Sequence, residues 1–352
     1  MELTLTFISL LVILSLIILT CVVFTNAIEH LGEELNLSEG AVGSVLAAVG
    51  TALPETIIPI VAIIGAYITG SNIEMGNEIG IGAILGAPFM LGTLAFFITG
   101  MAVIVFTHTG RRTADMPINT TIMFKDLHYF MGAYLLAIMT SFIPIPAIKY
   151  TIAVLLIIIY IIYVFLTVRT ASKIPEGGQE ELESLYFTKY IHAPGFFHLP
   201  AIILQILISL AGLVILAYLF VEELKVVSEV LHINPLILSL IIAPIATELP
   251  EKFNSIIWIR AKKDTLAMGN ITGAMVFQSC IPTAIGIAFT PWILSIEALI
   301  NVAIVYFSVT IVYLNIIANK GILKPIALIS CGGFYLLYLI YVIFRVFGDK
   351  IT

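Results

Sequence analysis

Two short segments of this 352-residue chain nearly repeat one another: Gly50-Thr51-Ala52-Leu53-Pro54-Glu55 and Ala246-Thr247-Glu248-Leu249-Pro250-Glu251. In each, a glutamate follows a proline, which has no N–H to donate. Within a helix the carbonyl four residues before that proline, on Gly50 or Ala246, loses its partner, and its oxygen is free to turn inward. Thr51 and Thr247 add a hydroxyl and a carbonyl at the same level. Carboxylate, hydroxyl and carbonyl oxygens together make a hard-ligand cage, suited to calcium, manganese or sodium and poor for soft metals. The charges of Glu55 and Glu251 balance one divalent cation, and no cluster of Arg or Lys matches them, which argues against an anionic substrate. Gly76-Asn77 and Gly269-Asn270 form a second matched pair, readable either as amide ligands or as plain helix-packing residues.

The elements that must position these groups are membrane helices. Hydrophobic residues make up 60% of the chain and charged ones 11%, where a soluble domain carries about a quarter charged. Mean hydropathy is +1.12. Runs such as Leu3 to Val23, Ile152 to Val168, Ala201 to Val221 and Ile326 to Phe344 approach or reach the roughly 20 residues that cross a bilayer. The pattern predicts ten helices, over 4–26, 38–66, 74–106, 127–143, 147–170, 200–222, 235–260, 265–289, 291–317 and 323–346. Loops after odd-numbered helices then hold Arg111, Arg112, Lys125, Arg169, Lys173, Lys189, Arg260, Lys262, Lys263, Lys320 and Lys324, most of the 16 basic residues. Lys149, Lys225, Arg345 and Lys350 fall on the other side, so the positive-inside rule predicts a multi-pass protein of the cell membrane with both termini outside.

The stretch 174–199, with Pro, Gly-Gly and a Glu-Glu-Leu-Glu run, reads as a cytoplasmic linker between two five-helix repeats, 1–173 and 200–352. Five is odd, so the second repeat enters the membrane from the opposite side. The expected fold is therefore an all-α membrane protein of two inverted five-helix repeats. In such carriers the substrate site lies near the midplane, on the matched Pro- or Gly-interrupted helices. A carboxylate at that depth costs about 3 kcal/mol or more and is a functional-site hypothesis by default.

Other features carry plainer readings. The first apolar run lacks a positive n-region and a clear cleavage site, so it reads as a helix and not a signal peptide. Cys21, Cys280 and Cys331 show no CxxC spacing and read as packing residues. The net charge of −6 is spread over short loops and points to no nucleic-acid partner. Asn26, Asn254, Asn315 and Ser308 read as helix-packing or helix-end residues, and His128 as an interfacial histidine opening the fourth helix.

The Thr-x-Leu-Pro-Glu pair resembles the motifs of the cation/calcium antiporter superfamily, whose sodium/calcium exchangers carry Gly-Thr-Ser-Leu-Pro-Glu and a near copy. The resemblance implies that Glu55, Glu251, Thr51 and Thr247 bind the transported ions, with calcium and sodium competing for one site. It also implies alternating access through a sliding helix pair. The family's serine after the motif threonine is Ala52 in one repeat and Glu248 in the other. After Gly-Asn the family reads Gly-Ser-Asn and then Asn or Asp a turn later. This chain has Gly80-Ile81-Gly82 with Leu85, and Gly273-Ala274-Met275 with Gln278. Several sodium-site oxygens are thus absent, while the divalent site keeps its carboxylates.

The expected function is secondary active antiport of a divalent cation, calcium foremost, for sodium. Proton-coupled exchange of calcium, manganese or magnesium is the alternative. A glutamate-lined channel is a third reading. No enzyme is expected, since neither paired Asp nor His-Glu-x-x-His occurs. No cofactor is expected. The partners would be divalent and monovalent cations and the lipid bilayer, with a monomer as the working unit. Candidate ligands are Glu55, Glu251, Thr51, Thr247, Gly50, Ala246, Glu248, Asn77, Asn270 and Gln278. Glu248 either faces the cavity, where it would favour proton coupling, or faces a water-filled vestibule and attracts cations.

Overall fold

The computed structural model describes residues 2–34, 47–70, 72–171, 184–189 and 198–348, and the side chains at 47–54, 246 and 249–254 lie outside the described set. The apolar runs form helices α1 (Glu2–Glu34), α2 (Ala47–Thr69), α3 (Ile73–His108), α4 (Thr120–Thr140) and α5 (Pro146–Ala171). After a helical turn at Tyr186–Lys189 come α6 (His198–Leu231), α7 (Pro235–Arg260), α8 (Asp264–Phe289), α9 (Ile296–Ala318) and α10 (Pro325–Gly348). Eight of these are long and apolar enough to cross a membrane. α2 and α7 have shorter apolar stretches, Glu55–Thr69 and Pro235–Ile245. Both of these stretches are counted over the described side chains alone. The predicted start of the second helix, 38–46, lies outside the described residues.

Local chemistry explains most boundaries. Asn119 Oδ1 accepts the N–H groups of Thr121 and Ile122, Asn234 does the same for Leu236 and Ile237 ahead of Pro235, and Ser295 caps α9 through Ala298. The Asn119 cap starts α4 at Thr120, earlier than the 127 expected from sequence, because Lys125 and Asp126 read as loop residues. They are helical, and neighbouring helices satisfy them. Lys125 Nζ donates to Thr167 Oγ1 on α5, and His128 Nε2 lies 3.2 Å from Tyr313 Oη on α9. α1 and α6 run well past their expected ends at 26 and 222. They pack on one another, Ser9 Oγ donates to Glu223 Oε1, and Gln205 Nε2 donates to the Val23 carbonyl and to Asn26 Oδ1. The backbone N–H groups of Tyr186 and Phe187 donate to those same two amides, which seats the helical turn on the α1–α6 pair.

α8 is the centre of the molecule: 78% of its span is buried, against 17% for α5, which leaves α5 largely to lipid. α8 touches α2, α3, α4, α5 and α7. α3 packs still more closely on its neighbours because its glycines point two ways. A Cβ on Gly76 or Gly80 would run into Ala62, Ala66 and Ile63 of α2, and one on Gly82 or Gly86 would strike the carbonyl oxygens of Leu236 and Leu240 on α7. Small residues four apart let membrane helices approach backbone to backbone. Ser239 Oγ of α7 donates across the same seam to the Ile79 carbonyl. Below Pro88, α3 loosens into a π-helical turn at Leu91–Ala95 before resuming as α-helix.

Two buried charge clusters fasten this core to its surroundings. Asp126 on α4 accepts from Tyr163 Oη of α5 at 3.0 Å and from Thr272 Oγ1 of α8 at 2.9 Å. Arg112, in the α3–α4 loop, forms a two-pronged ion pair with Asp264 at the start of α8 and donates to the carbonyls of Ile259, Thr113 and Asp115. Both side chains of that pair are 2% exposed, so each charge relies on the other. The same loop adds a two-residue antiparallel ribbon, Met116–Pro117 against Ile322–Leu323, and Asp115 pairs with Lys324.

The α3–α7 seam yields a direct test. Gly86→Ala places a methyl group against a backbone oxygen, which cannot move without shifting α7, and such overpacking costs about 1–3 kcal/mol. The detergent-purified variant is expected to unfold at a clearly lower temperature than the parent, whereas Gly132→Ala, with open space at its Cβ, should not. Equal midpoints for both would contradict the close approach.

Candidate cation-binding site

Glu55 follows Pro54 on α2 and is 5% exposed. Glu248 lies midway along α7, between Pro244 and Pro250, and is fully buried. The two carboxylates belong to different halves of the chain, and a third helix joins them. Gln278 of α8, 1% exposed, donates from Nε2 to Glu55 Oε2 at 2.6 Å and to Glu248 Oε1 at 2.5 Å. One amide nitrogen therefore bridges both acids, one hydrogen to each. These are charge-assisted bonds, shorter and stronger than neutral ones.

The backbone around Gln278 is also irregular for a stated reason. Pro282 cannot donate to the Gln278 carbonyl four residues before it, and Thr283 Oγ1 donates to that oxygen instead, at 2.8 Å. The α8 helix thus keeps its carbonyl satisfied and continues past Pro282. Gln278 Oε1 is buried and, among the described residues, has no hydrogen-bond partner.

Of the residues singled out from sequence, Glu55, Glu248 and Gln278 converge. Thr247 is 4% exposed beside Glu248, and its hydroxyl donates to the Ala243 carbonyl at 3.4 Å. Asn77 on α3 is 8% exposed, and its buried Oδ1 has no partner among the described residues. Asn270 is half-buried two turns before Gln278 on α8 and shows no contact with either acid. The side chains of Thr51 and Glu251, like Gly50 and Ala246, lie outside the described residues; Glu251 stands three residues beyond Glu248 on α7. Glu248 is buried against Gln278.

Asp126 escaped the sequence reading although it is a buried acid hydrogen-bonded to α8. Its signal was the acid itself, one residue ahead of the predicted helix start at 127. Arg112 was read as a loop charge, and its burial against Asp264 had no local signal at all. Cys21, Cys280 and Cys331 are each buried, as packing residues are.

The site can hold a hard cation. Two acceptor-only carboxylates, an amide oxygen within the same side chain that bridges them, and a threonine hydroxyl are oxygen ligands of the kind calcium takes, at about 2.3–2.6 Å. The donors that the described contacts place on the two acids come from a neutral amide, Gln278 Nε2.

The sequence and fold have known relatives. The model of the family described as sodium/calcium exchanger protein matches residues 5–169 and 201–347. An uncharacterized membrane protein of Methanocaldococcus jannaschii is 25% identical over 268 residues, which is 76% of each chain. Among solved structures, a crystal structure of the H+/Ca2+ exchanger CAX superposes with a TM-score of 0.71 at 16% identity, covering 98% of this chain and 88% of that one. The sodium-calcium exchanger NCX_Mj, soaked with 10 mM Na+ and 10 mM Sr2+, gives 0.57 at 20% identity, covering 96% and 98%. At these identities the structural likeness is one of fold. The family match spans almost all of both halves and leaves out the linker, and on it the chain belongs to the sodium/calcium exchanger protein family.

Proposed function

We propose that this protein is a secondary active antiporter that exchanges a divalent cation, calcium foremost, for a monovalent counter-ion by alternating access at the Glu55–Glu248–Gln278 site. The observation that carries this reading is the meeting of two buried carboxylates from matched proline-broken helices at one amide. Buried carboxylates are expensive in a membrane, and a dication held between them would offset that cost. Glu251, Thr51 and the carbonyls of Gly50 and Ala246 are proposed to complete the shell, with Asn77 and Asn270 flanking it. In this reading α2 and α7 also span, which makes ten helices arranged as inverted repeats over 1–173 and 200–352 about the linker at 174–199. Both termini would lie outside.

Sodium is the first counter-ion to consider, from the name of the family and from a relative solved with Na+ and Sr2+. Proton coupling is the second, and one observation favours it. Glu248 stands where exchangers carry a sodium-binding serine, and it shares an amide with Glu55. The H+/Ca2+ exchanger that shares this fold couples calcium to H+.

Calcium uptake into proteoliposomes, with sodium and pH gradients imposed separately, decides between them. Exchange should saturate and be stimulated by the counter-ion on the opposite side; uptake indifferent to any counter-ion would indicate a channel. Glu55→Gln and Glu251→Gln should each cut flux to near background while the protein still purifies, and wild-type flux in both would overturn the site. Glu248→Ser should weaken a pH dependence and raise the response to sodium, and an unchanged profile in that variant would remove Glu248 from coupling.

Orientation is tested on the cell surface. Single cysteines replacing the exposed Arg111 and Arg260, in a background without native cysteines, should resist impermeant thiol reagent added outside intact cells. Ready labelling at both would reverse the orientation.

A further inference from the structure

We infer that Gln278 is a switching ligand: its amide nitrogen holds Glu55 and Glu248 together between ion-binding events, and its oxygen joins the coordination shell when the cation is bound. This rests on the reading of the two carboxylates as the cation site. The orientation of the amide follows from chemistry. Ionised carboxylates only accept, so the end of Gln278 that faces them must be the donating nitrogen, with Oε1 turned away. A cation held by those same carboxylate oxygens reverses the requirement. The N–H groups would then point their positive hydrogens at a positive ion, in a volume too small for both. Half a turn about the last side-chain torsion exchanges nitrogen for oxygen at the same place, and terminal amide torsions are broad and roughly two-fold.

Nothing among the described residues holds the amide from its other end, because Gln278 Oε1 is buried without a hydrogen-bond partner. Its stem is fixed, however. α8 is packed on five neighbouring helices, and Thr283 ties the Gln278 carbonyl. The rotation is therefore confined to the head group. The switch also sets a threshold for charge. Turning the amide breaks two charge-assisted hydrogen bonds whatever the ion, while the attraction to two carboxylates doubles from a monovalent to a divalent cation. A neutral donor thus holds the site against sodium more effectively than against calcium, which makes Gln278 a determinant of specificity as well as a ligand.

Calcium binding to the purified protein in detergent at pH 8.5, by isothermal titration, tests this without requiring transport. Gln278→Lys puts an ammonium where the cation would sit, bridged by both acids, and should abolish calcium binding, a loss of at least a hundredfold, in a monodisperse protein. Gln278→Glu keeps an oxygen at the head and removes the donor, and should bind calcium as tightly as the parent or up to tenfold more tightly. Binding by Gln278→Lys within threefold of the parent, or a tenfold loss in a monodisperse Gln278→Glu, would overturn the switch. Should either variant fail to purify, Gln278→Met, similar in size but without donor or hard oxygen, should bind calcium at least tenfold more weakly, and parental affinity would overturn it. A parent protein that shows no saturable calcium binding overturns the site itself, a result distinct from any pattern among the variants.

Discussion

The hydrogen bonds from one amide nitrogen to two buried carboxylates are the interaction on which the rest of the structure depends. Glu55 and Glu248 sit in a medium that penalises charge by about 3 kcal/mol or more, and one amide holds both. Such groups persist in a membrane protein when the surrounding helices force them together and when some other charge relieves them during function. The prolines beside them act in the same direction. Pro54, Pro244, Pro250 and Pro282 each leave a carbonyl without its helical donor, so three helices are loosened at the level where the acids meet.

Holding this cluster requires a scaffold with little slack. α3 supplies it through backbone contact, with Gly76 and Gly80 turned to α2 and Gly82 and Gly86 turned to α7, so the two acid-bearing helices are clamped from one side. α8 brings Gln278 from the other side. Its start is anchored by the Arg112–Asp264 pair, and its outer face by Asp126 through Thr272. On the far side the α1–α6 pair is joined by polar bonds among Ser9, Glu223, Gln205 and Asn26. The pair also packs on α2 and α7, and its apolar residues form one core with theirs.

Much of the site could be read from the sequence because its signals are local and doubled. A Pro-Glu step in an apolar run is rare, and its recurrence after Thr-x-Leu marks both acid-bearing helices in the sequence alone. Spans were legible for the same reason, since about 20 apolar residues announce a crossing helix without reference to neighbours. What could not be read depends on rotation and distance. Whether Glu248 faces inward is decided by the roll of α7 against α3, which the glycines of another helix set. Arg112 and Asp264 are far apart in sequence, and each alone resembles an ordinary loop charge. Asp126 was concealed by Lys125, whose polarity delayed the expected start of α4 until the Asn119 cap was seen. In sequence Gly76 reads as half of a matched Gly-Asn pair, and Gly80 and Gly82 as departures from a motif. Their role in bringing backbones into contact appears only when Leu236 and Leu240 are placed opposite them.

The central claim is that the transported divalent cation sits between Glu55 and Glu248. The most direct measurement is the anomalous diffraction signal of strontium in crystals grown with that ion, strontium standing in for calcium as a larger hard dication. The account predicts a peak between the two carboxylates, within coordination distance of an oxygen from each and with the Gln278 oxygen turned toward it. A peak displaced from both acids, or a strontium shell that includes neither Glu55 nor Glu248 while the amide still bridges them, would contradict it.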